Sequence, residues 1–215
     1  MKLHNYFRSS ASYRVRIALN LKGLPYDYRA VHLSRGGGEQ FAPAFRALNP
    51  QGLVPVLEDS EQLMTQSLAI MEYLDEAHPE PPLLPESAAA RAYVRAVGLT
   101  IACEIHPLNN LRVLDYLTRR FGATDDAKLL WYQHWVGLGL SALEAQVGGS
   151  PYLGKFCHGD SPSIADCCLV PQLFNARRFE CDLSPYPTLL AIDRHCHELA
   201  AFQRAAPEHQ PDADG

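Results

Sequence analysis

Ser9 and Ser10 stand between a strand-like stretch, Lys2–Phe7, and a helical pattern over Ser12–Lys22. At such a junction free backbone N–H groups and the helix dipole favour an anion, and a hydroxyl there can donate to a thiolate. Serine at a helix start also serves simply as a cap, so the residues alone leave both roles open. Gln66-Ser67 occupies a second strand-to-helix junction, ahead of a helix over Ser67–Glu76 with Leu68, Met71 and Leu74 in phase, and suits a carboxylate for the same reason. His195-Cys196-His197 and Cys167-Cys168 gather metal-binding residue types. Residues one or two apart on a helix point in different directions, however, and no standard zinc spacing occurs, so no metal is expected.

The elements around these junctions alternate. Ser12–Lys22 carries two apolar stripes, one of Val15, Ala18 and Leu19 and one of Ile17 and Leu21, which predicts a helix packed on both sides and stopped at Gly23. Tyr26–Leu33 reads as a strand, Ser34–Gly38 as a loop and Phe41–Leu48 as a short helix. Val54–Leu57 and Leu63–Thr65 read as a hairpin. This grammar is that of an α/β unit. Pro79–Pro85 is too proline-rich for helix or central strand and reads as a linker. From Ala88 on the pattern is helical, over 88–120, 125–147, 163–178 and 187–203, with Pro171 expected to bend the third segment. Ser163-Ile164-Ala165-Asp166 has capping-box form, with Asp in place of Glu. Ala206–Gly215 holds two prolines and little apolar surface, and is expected to be a poorly ordered tail.

Composition narrows the function classes. With 215 residues, 47% of them hydrophobic, the chain has room for two compact halves. Its 24 acidic residues outnumber 19 basic ones for a net charge of -5, which argues against a general nucleic-acid binder. Of the bases, 15 are Arg and 4 Lys, a skew that favours planar recognition of carboxylates if the positions are right. Met1–Ser12 has no signal-peptide core, and no apolar run reaches the roughly 18 residues of a membrane span. Six cysteines without C-x-x-C spacing read as reduced and mostly buried, in a cytoplasmic protein.

The stretch Arg8-Ser9-Ser10-Ala11-Ser12-Tyr13-Arg14-Val15-Arg16-Ile17-Ala18-Leu19 closely resembles the signature of the zeta class of cytosolic glutathione transferases. Further matches follow in order: Asn49-Pro50, Leu53-Val54-Pro55, Gln66-Ser67-Leu68-Ala69-Ile70, His106-Pro107-Leu108-Asn109-Asn110, Ala165-Asp166, Leu169-Val170-Pro171-Gln172, Arg178-Phe179 and Gln210-Pro211-Asp212. The resemblance spans the whole chain. It implies a glutathione transferase fold: an α/β thioredoxin-like glutathione-binding domain over 1–80, a linker over 81–87 and an all-α substrate-binding domain over 88–215. The class contains maleylacetoacetate and maleylpyruvate isomerases, so it implies a homodimeric, glutathione-dependent cis–trans isomerase of a small dicarboxylate, with neither nucleic acid nor membrane as partner.

The resemblance also assigns residues. Ser9 and Ser10 hold the glutathione thiolate. Gln66 and Ser67 take its γ-glutamyl carboxylate, Val54 pairs with its cysteinyl backbone beside a cis Pro55, and Gln40 reaches its glycyl end. His106 and Asn110, four apart on one expected helical face, contact glutathione or substrate. Arg8, Arg112 and Arg178 meet the substrate carboxylates and an enolate oxygen, for which guanidinium groups are suited. Arg177, beside Arg178, reads as a solvated surface residue. One departure stands out: the family commonly has Cys where this chain has Ala11, so glutathione must supply the sulfur. The implied reaction is addition of the thiolate to the olefinic carbon, rotation about the resulting single bond and expulsion of the thiolate. Maleylacetoacetate is the first choice of substrate and maleylpyruvate the second. Conjugation of glutathione to α-halo acids, or glutathione binding without catalysis, are the competing readings.

Overall fold

The computed structural model describes residues 1–213. A four-stranded sheet in the order β2-β1-β3-β4 is built from β1 (Lys2–Asn5), β2 (Asp27–Ala30), β3 (Val56–Asp59) and β4 (Gln62–Thr65). Leu3 at its centre faces Tyr28 of the parallel β2 and Leu57 of the antiparallel β3. Helix α1 (Ser10–Leu21) makes the crossover from β1 to β2, and α3 (Ser67–Ala77) packs beside it. The two-stripe expectation for α1 holds: Val15, Ile17, Ala18 and Leu19 are fully buried, and so are Arg14 and Arg16. Burying each large aliphatic side chain contributes roughly 1.5–3 kcal/mol.

The first strand ends at Asn5 rather than Phe7, because the Ser9 N–H closes a turn on the Tyr6 carbonyl at 3.0 Å. The helix starts before Ser12 because Ser9 caps it, its Oγ accepting from the Ser12 N–H at 3.3 Å. The expected helix over 41–48 resolves into a 3-10 turn, Glu39–Phe41, and α2 (Pro43–Leu48).

The chain divides into two compact units, Met1–Leu83 with the residues from His197 onward, and Leu84–Cys196. The split falls inside the proline-rich stretch. Lys22 explains why the first part of that stretch stays with the sheet: its buried ammonium pairs with Asp75 at 2.9 Å and donates to the carbonyls of His78 and Pro81 at 2.6 and 2.8 Å. The chain beyond His197 departs from the expected 88–215 domain. Helix α9 (Ala200–Ala205) lies against α1, where Asn20 Nδ2 donates to the Ala201 carbonyl at 3.0 Å. The expected disordered tail is corrected too. Pro207–His209 forms a 3-10 turn, Gln210 is buried and Asp212 accepts hydrogen bonds from the sheet unit. Asp214 and Gly215 lie outside the described residues.

In the second unit the expected 88–120 helix is broken. Helix α4 (Ala88–Leu99) passes into a π-helical turn, Thr100–Ile105, then a 3-10 turn, Pro107–Asn109, and α5 (Leu111–Phe121). Pro107 lacks the N–H needed to continue the helix, and Asn110 turns extended to cap α5. Helix α6 (Asp125–Gly148), α7 (Ile164–Arg178) and α8 (Pro187–His197) complete the unit. Helix α7 runs through Pro171 and is buried on nearly every side, which its apolar composition requires. The expected capping box forms at its start, Asp166 accepting from the Ser163 N–H at 2.8 Å. The long 187–203 pattern divides into α8 and α9. No helix among the described residues is long and apolar enough to cross a membrane.

Candidate active site

The β1–α1 loop, Tyr6–Ser9, presents Arg8 and Ser9, and Ser10 opens the helix behind it. Ser9 caps α1 through its oxygen lone pair, which leaves its hydroxyl hydrogen free to donate to an anion. Cap and thiolate donor are therefore compatible in one residue. Ser10 is buried at the first helical position. Arg8 is exposed and held along the loop: its Nε and Nη2 donate to the Tyr6 hydroxyl at 3.3 and 3.0 Å, and its guanidinium lies 4.8 Å from the centre of the Phe7 ring.

The start of α3 is open. Gln66, its N-cap, makes no side-chain capping bond and holds φ at 68°, a left-handed conformation that costs a non-glycine residue about 1–3 kcal/mol. The first N–H groups of α3 are thereby left to a ligand. Ser67 is buried, and Arg14 Nη1 donates to its Oγ at 3.2 Å. The Val54–Pro55 peptide is cis, as expected, and a second cis bond lies at Glu80–Pro81. Val54 shares a buried cluster with Tyr6, Val31, Phe45 and Val56, which ties the Pro55 loop to the serine loop. Asn49 shapes the approach to that loop, donating to the Leu53 carbonyl at 2.8 Å and accepting from the Gln51 N–H at 3.1 Å.

Gln40 sits in the Glu39–Phe41 turn, buried, with its Nε2 donating to the Leu33 carbonyl at 3.2 Å and its Oε1 enclosed without a protein donor. Two glycines make its position possible. A Cβ on Gly38, whose φ is +107°, would fall 2.7 Å from the Gln40 amide, and one on Gly52 would fall 3.1 Å from the Gln40 carbonyl oxygen. The sheet unit thus supplies the Ser9 hydroxyl for a thiolate and uncapped N–H groups for a carboxylate, two of the groups that glutathione presents.

The helical unit is described by itself. Asn110 is the N-cap of α5, accepting the Arg112 N–H at 3.1 Å, so it shares no helical face with His106, and that expectation is corrected. The Arg112 side chain is exposed at the start of α5. Arg178 is exposed near the end of α7, its Nη1 donating to Asn175 Oδ1 at 3.2 Å and its guanidinium 5.3 Å from the centre of the Phe179 ring, itself stacked on Tyr132. Arg177 is more than a solvated residue: it pairs with Asp193 at 2.6 Å, and Asp193 is buried. Arg177→Ala is therefore expected to cost about 1–2 kcal/mol in denaturant unfolding, limited by the exposure of the arginine, with kcat unchanged.

Sequence reasoning gave no role to Arg14, Arg16 or Asn49, and it named Gln66 without foreseeing its strained backbone. For the arginines the signal was present, since both lie within a helix already expected to be packed on both sides. Three of the chain's own thiols are unsuited to act near neutral pH: burial pushes Cys181 up to about 11 and lifts Cys157 and Cys196 above their ordinary range. With Ala11 in the loop, this agrees with an external sulfur.

A thioredoxin-like unit with these paired helix starts, continued in the chain by a helical unit, defines the glutathione transferase class of protein. Residues 3–82 match the family model of the glutathione S-transferase N-terminal domain and residues 139–191 that of the C-terminal domain. The chain is 54% identical to a probable maleylacetoacetate isomerase of Vibrio cholerae, over 98% of its own length and 97% of the relative's. It superposes with a TM-score of 0.96, at 50% identity and full coverage of both chains, on the holo structure of a maleylpyruvate isomerase described as a bacterial zeta-class glutathione S-transferase. The TM-score is again 0.96, at 39% identity and full coverage of both, for a maleylacetoacetate isomerase of Methylobacterium extorquens with bound malonate and glutathione. The chain belongs to the glutathione S-transferase family, in its zeta class.

Proposed function

We propose that this protein is a glutathione-dependent cis–trans isomerase acting on maleylacetoacetate, with maleylpyruvate the alternative substrate. The observation that carries the reading is the pair of helix starts in the sheet unit, Ser9 and Ser10 at α1 and the uncapped start of α3 at Gln66. The relatives support it in kind: one is a maleylacetoacetate isomerase with glutathione and a dicarboxylate bound, and another a maleylpyruvate isomerase. When bound, glutathione supplies a thiolate that adds reversibly to an activated cis double bond and is returned unchanged. Ser9 and Ser10 stabilise negative charge on sulfur, assisted by the N-terminal end of α1. The N–H groups at the start of α3 hold a carboxylate, and the charge of Arg14 behind Ser67 reinforces them. Val54 offers backbone hydrogen bonds, Gln40 an acceptor, and His106 and Asn110 further polar contacts. Arg8, Arg112 and Arg178 grip the two substrate carboxylates and the oxygen on which charge develops.

We assign the protein to the cytoplasm, because its six cysteines are free and four of them are buried as thiols, and we assign it a homodimer, which light scattering tests. For the activity, the purified protein is incubated with each maleyl substrate, with and without glutathione. Isomerisation that requires glutathione, leaves substrate mass unchanged and returns the glutathione is the expected result. Glutathione consumed against an α-halo acid, with no isomerisation, replaces this reading with conjugation; glutathione binding alone replaces it with a binding module.

A further inference from the structure

The loop that carries Arg8 and Ser9 is short, yet its backbone is tied on every side. Arg16, fully buried on α1, donates from Nη1 to Asn5 Oδ1 and the Tyr6 carbonyl at 3.0 and 3.3 Å and from Nη2 to the Phe7 carbonyl at 2.8 Å. Its Nε donates to the Ala205 carbonyl at 3.0 Å, which joins the C-terminal segment to the same anchor. That segment then turns back. Gln210 Nε2 donates to the carbonyls of Arg204 and Ala206, each at 2.8 Å, and so directs the chain toward the sheet. Asp212 completes the circuit: its Oδ2 accepts the Phe7 N–H at 3.2 Å, and its Oδ1 accepts the Tyr28 hydroxyl from β2.

We propose that Asp212, near the C-terminus, is a positioning residue for the thiolate site: by holding the Phe7 N–H it fixes the loop that aims Arg8 and the Ser9 hydroxyl. The inference rests on the isomerase reading and deepens it. Phe7 lies one residue from Arg8 and two from Ser9, so freedom gained at its N–H passes directly to both. The β1–β2 pairing sets Tyr28 opposite Leu3, and Tyr28 in turn fixes the carboxylate. Burial and the Asp212 hydrogen bond push the Tyr28 phenol upward, so it remains a donor at any working pH. Burial lowers the Arg16 guanidinium, and the Asp212 carboxylate is among the groups opposing that, so it also supports the cation behind the loop. Misplacement of a reacting group by about 1 Å can cost on the order of 10²-fold in rate. A loop freed at one of several ties moves less, and the expected loss is roughly tenfold.

The experiment compares wild type with Asp212→Ala, Asp212→Asn and Tyr28→Phe. For each it reads the melting temperature, kcat and KM for isomerisation, and the ionisation of bound glutathione from its thiolate absorbance against pH. Asp212→Ala is expected to lower kcat about tenfold and to raise the apparent pKa of the bound thiol, with less than about a threefold change in KM for glutathione. Asp212→Asn keeps an acceptor for the Phe7 N–H and should fall between wild type and Asp212→Ala, with Tyr28→Phe close to it. Arg177→Ala, which is destabilised in the other unit, is the control for lost stability alone and should keep the wild-type thiol titration. If Asp212→Ala melts lower, as Arg177→Ala does, and retains wild-type kcat and thiol ionisation, the positioning role is overturned and the isomerase reading stands. If Asp212→Ala does not fold, the other two variants decide by the same readouts. If wild type isomerises neither maleyl substrate, the proposed function fails, and the thiol titrations alone uphold or overturn the role of Asp212.

Discussion

Replacing Ser9 and Ser10 together by alanine is expected to lower kcat for isomerisation on the order of 10²-fold, the scale for removing a donor from a developing anion. Glutathione affinity should change far less, because the lost interaction strengthens with charge on sulfur. The free thiol ionises near pH 8.5, by the reference for cysteine. A site that stabilises the thiolate lowers that value, and the variant gives the lowering back. The sign follows: the variant is most impaired at neutral pH and recovers as pH rises toward the free-thiol value, so the ionisation limb of its kcat profile moves to higher pH. Ser9 also caps α1, and Ser9→Ala therefore carries a stability cost of about 1 kcal/mol. Ser9→Gly removes the same hydroxyl with a cap penalty of only a few tenths of a kcal/mol, so it separates the two roles. A fall in kcat without a fall in stability assigns the effect to the hydroxyl. Wild-type turnover in both single variants and the double variant would leave thiol activation to the helix N-terminus alone.

Legibility in the sequence followed the range of the interactions. The four strand segments, the junction at Gln66-Ser67 and the capping box of Ser163 and Asp166 are specified by neighbours within a few residues, and each formed where it was read, the strands with ends shifted by up to three residues. The pattern over 88–120 hid its breaks, because apolar spacing continues past Pro107 and Asn110 while the backbone does not. Arg14 and Arg16 read as polar positions of a helix that nonetheless showed apolar stripes on two sides. The resolution is that the guanidiniums are interior parts: Arg16 is held by Asn5 and main-chain carbonyls, and Arg14 donates from Nη1 to Ser67. The tail was misread for a different reason. Pro207, Pro211 and their polar neighbours have the composition of a disordered end, but Asp212 meets its partners Phe7 and Tyr28 across nearly the whole chain. Asp193 and Arg177 are the same case in the helical unit, two opposite charges on different helices whose pairing no local periodicity announces.

The arginines give the sharpest separation between a substrate cradle and an ordinary charged surface. Replacing Arg8, Arg112 or Arg178 by alanine is expected to impair kcat/KM for the dicarboxylate by roughly 1.5–3 kcal/mol, about 10- to 150-fold, the usual scale for a charged hydrogen bond. Glutathione affinity should be nearly unaltered in all three. Each side chain is exposed, so its loss should change stability little, Arg8 costing the most because its removal takes a donor from the hydroxyl of buried Tyr6. Arg8 and Arg178 are also pre-oriented, one against the Tyr6 hydroxyl and the Phe7 ring, the other by Asn175 and Phe179. Lysine at either place keeps the charge and loses both the fork and the stacking plane, so it should restore only part of the rate. Arg177 no longer serves as a silent comparison, since its pairing with buried Asp193 gives it a stability role. Arg120, exposed near the end of α5, takes that place, and Arg120→Ala should match wild type in both rate and melting. Steady-state kinetics beside thermal melts decide the matter. If Arg120→Ala proves as impaired as Arg112→Ala, the effect is one of general positive charge and the three-arginine cradle must be abandoned. The thiolate site built on Ser9 and Ser10 would be untouched by that outcome, because every contact that shapes it lies within the sheet unit.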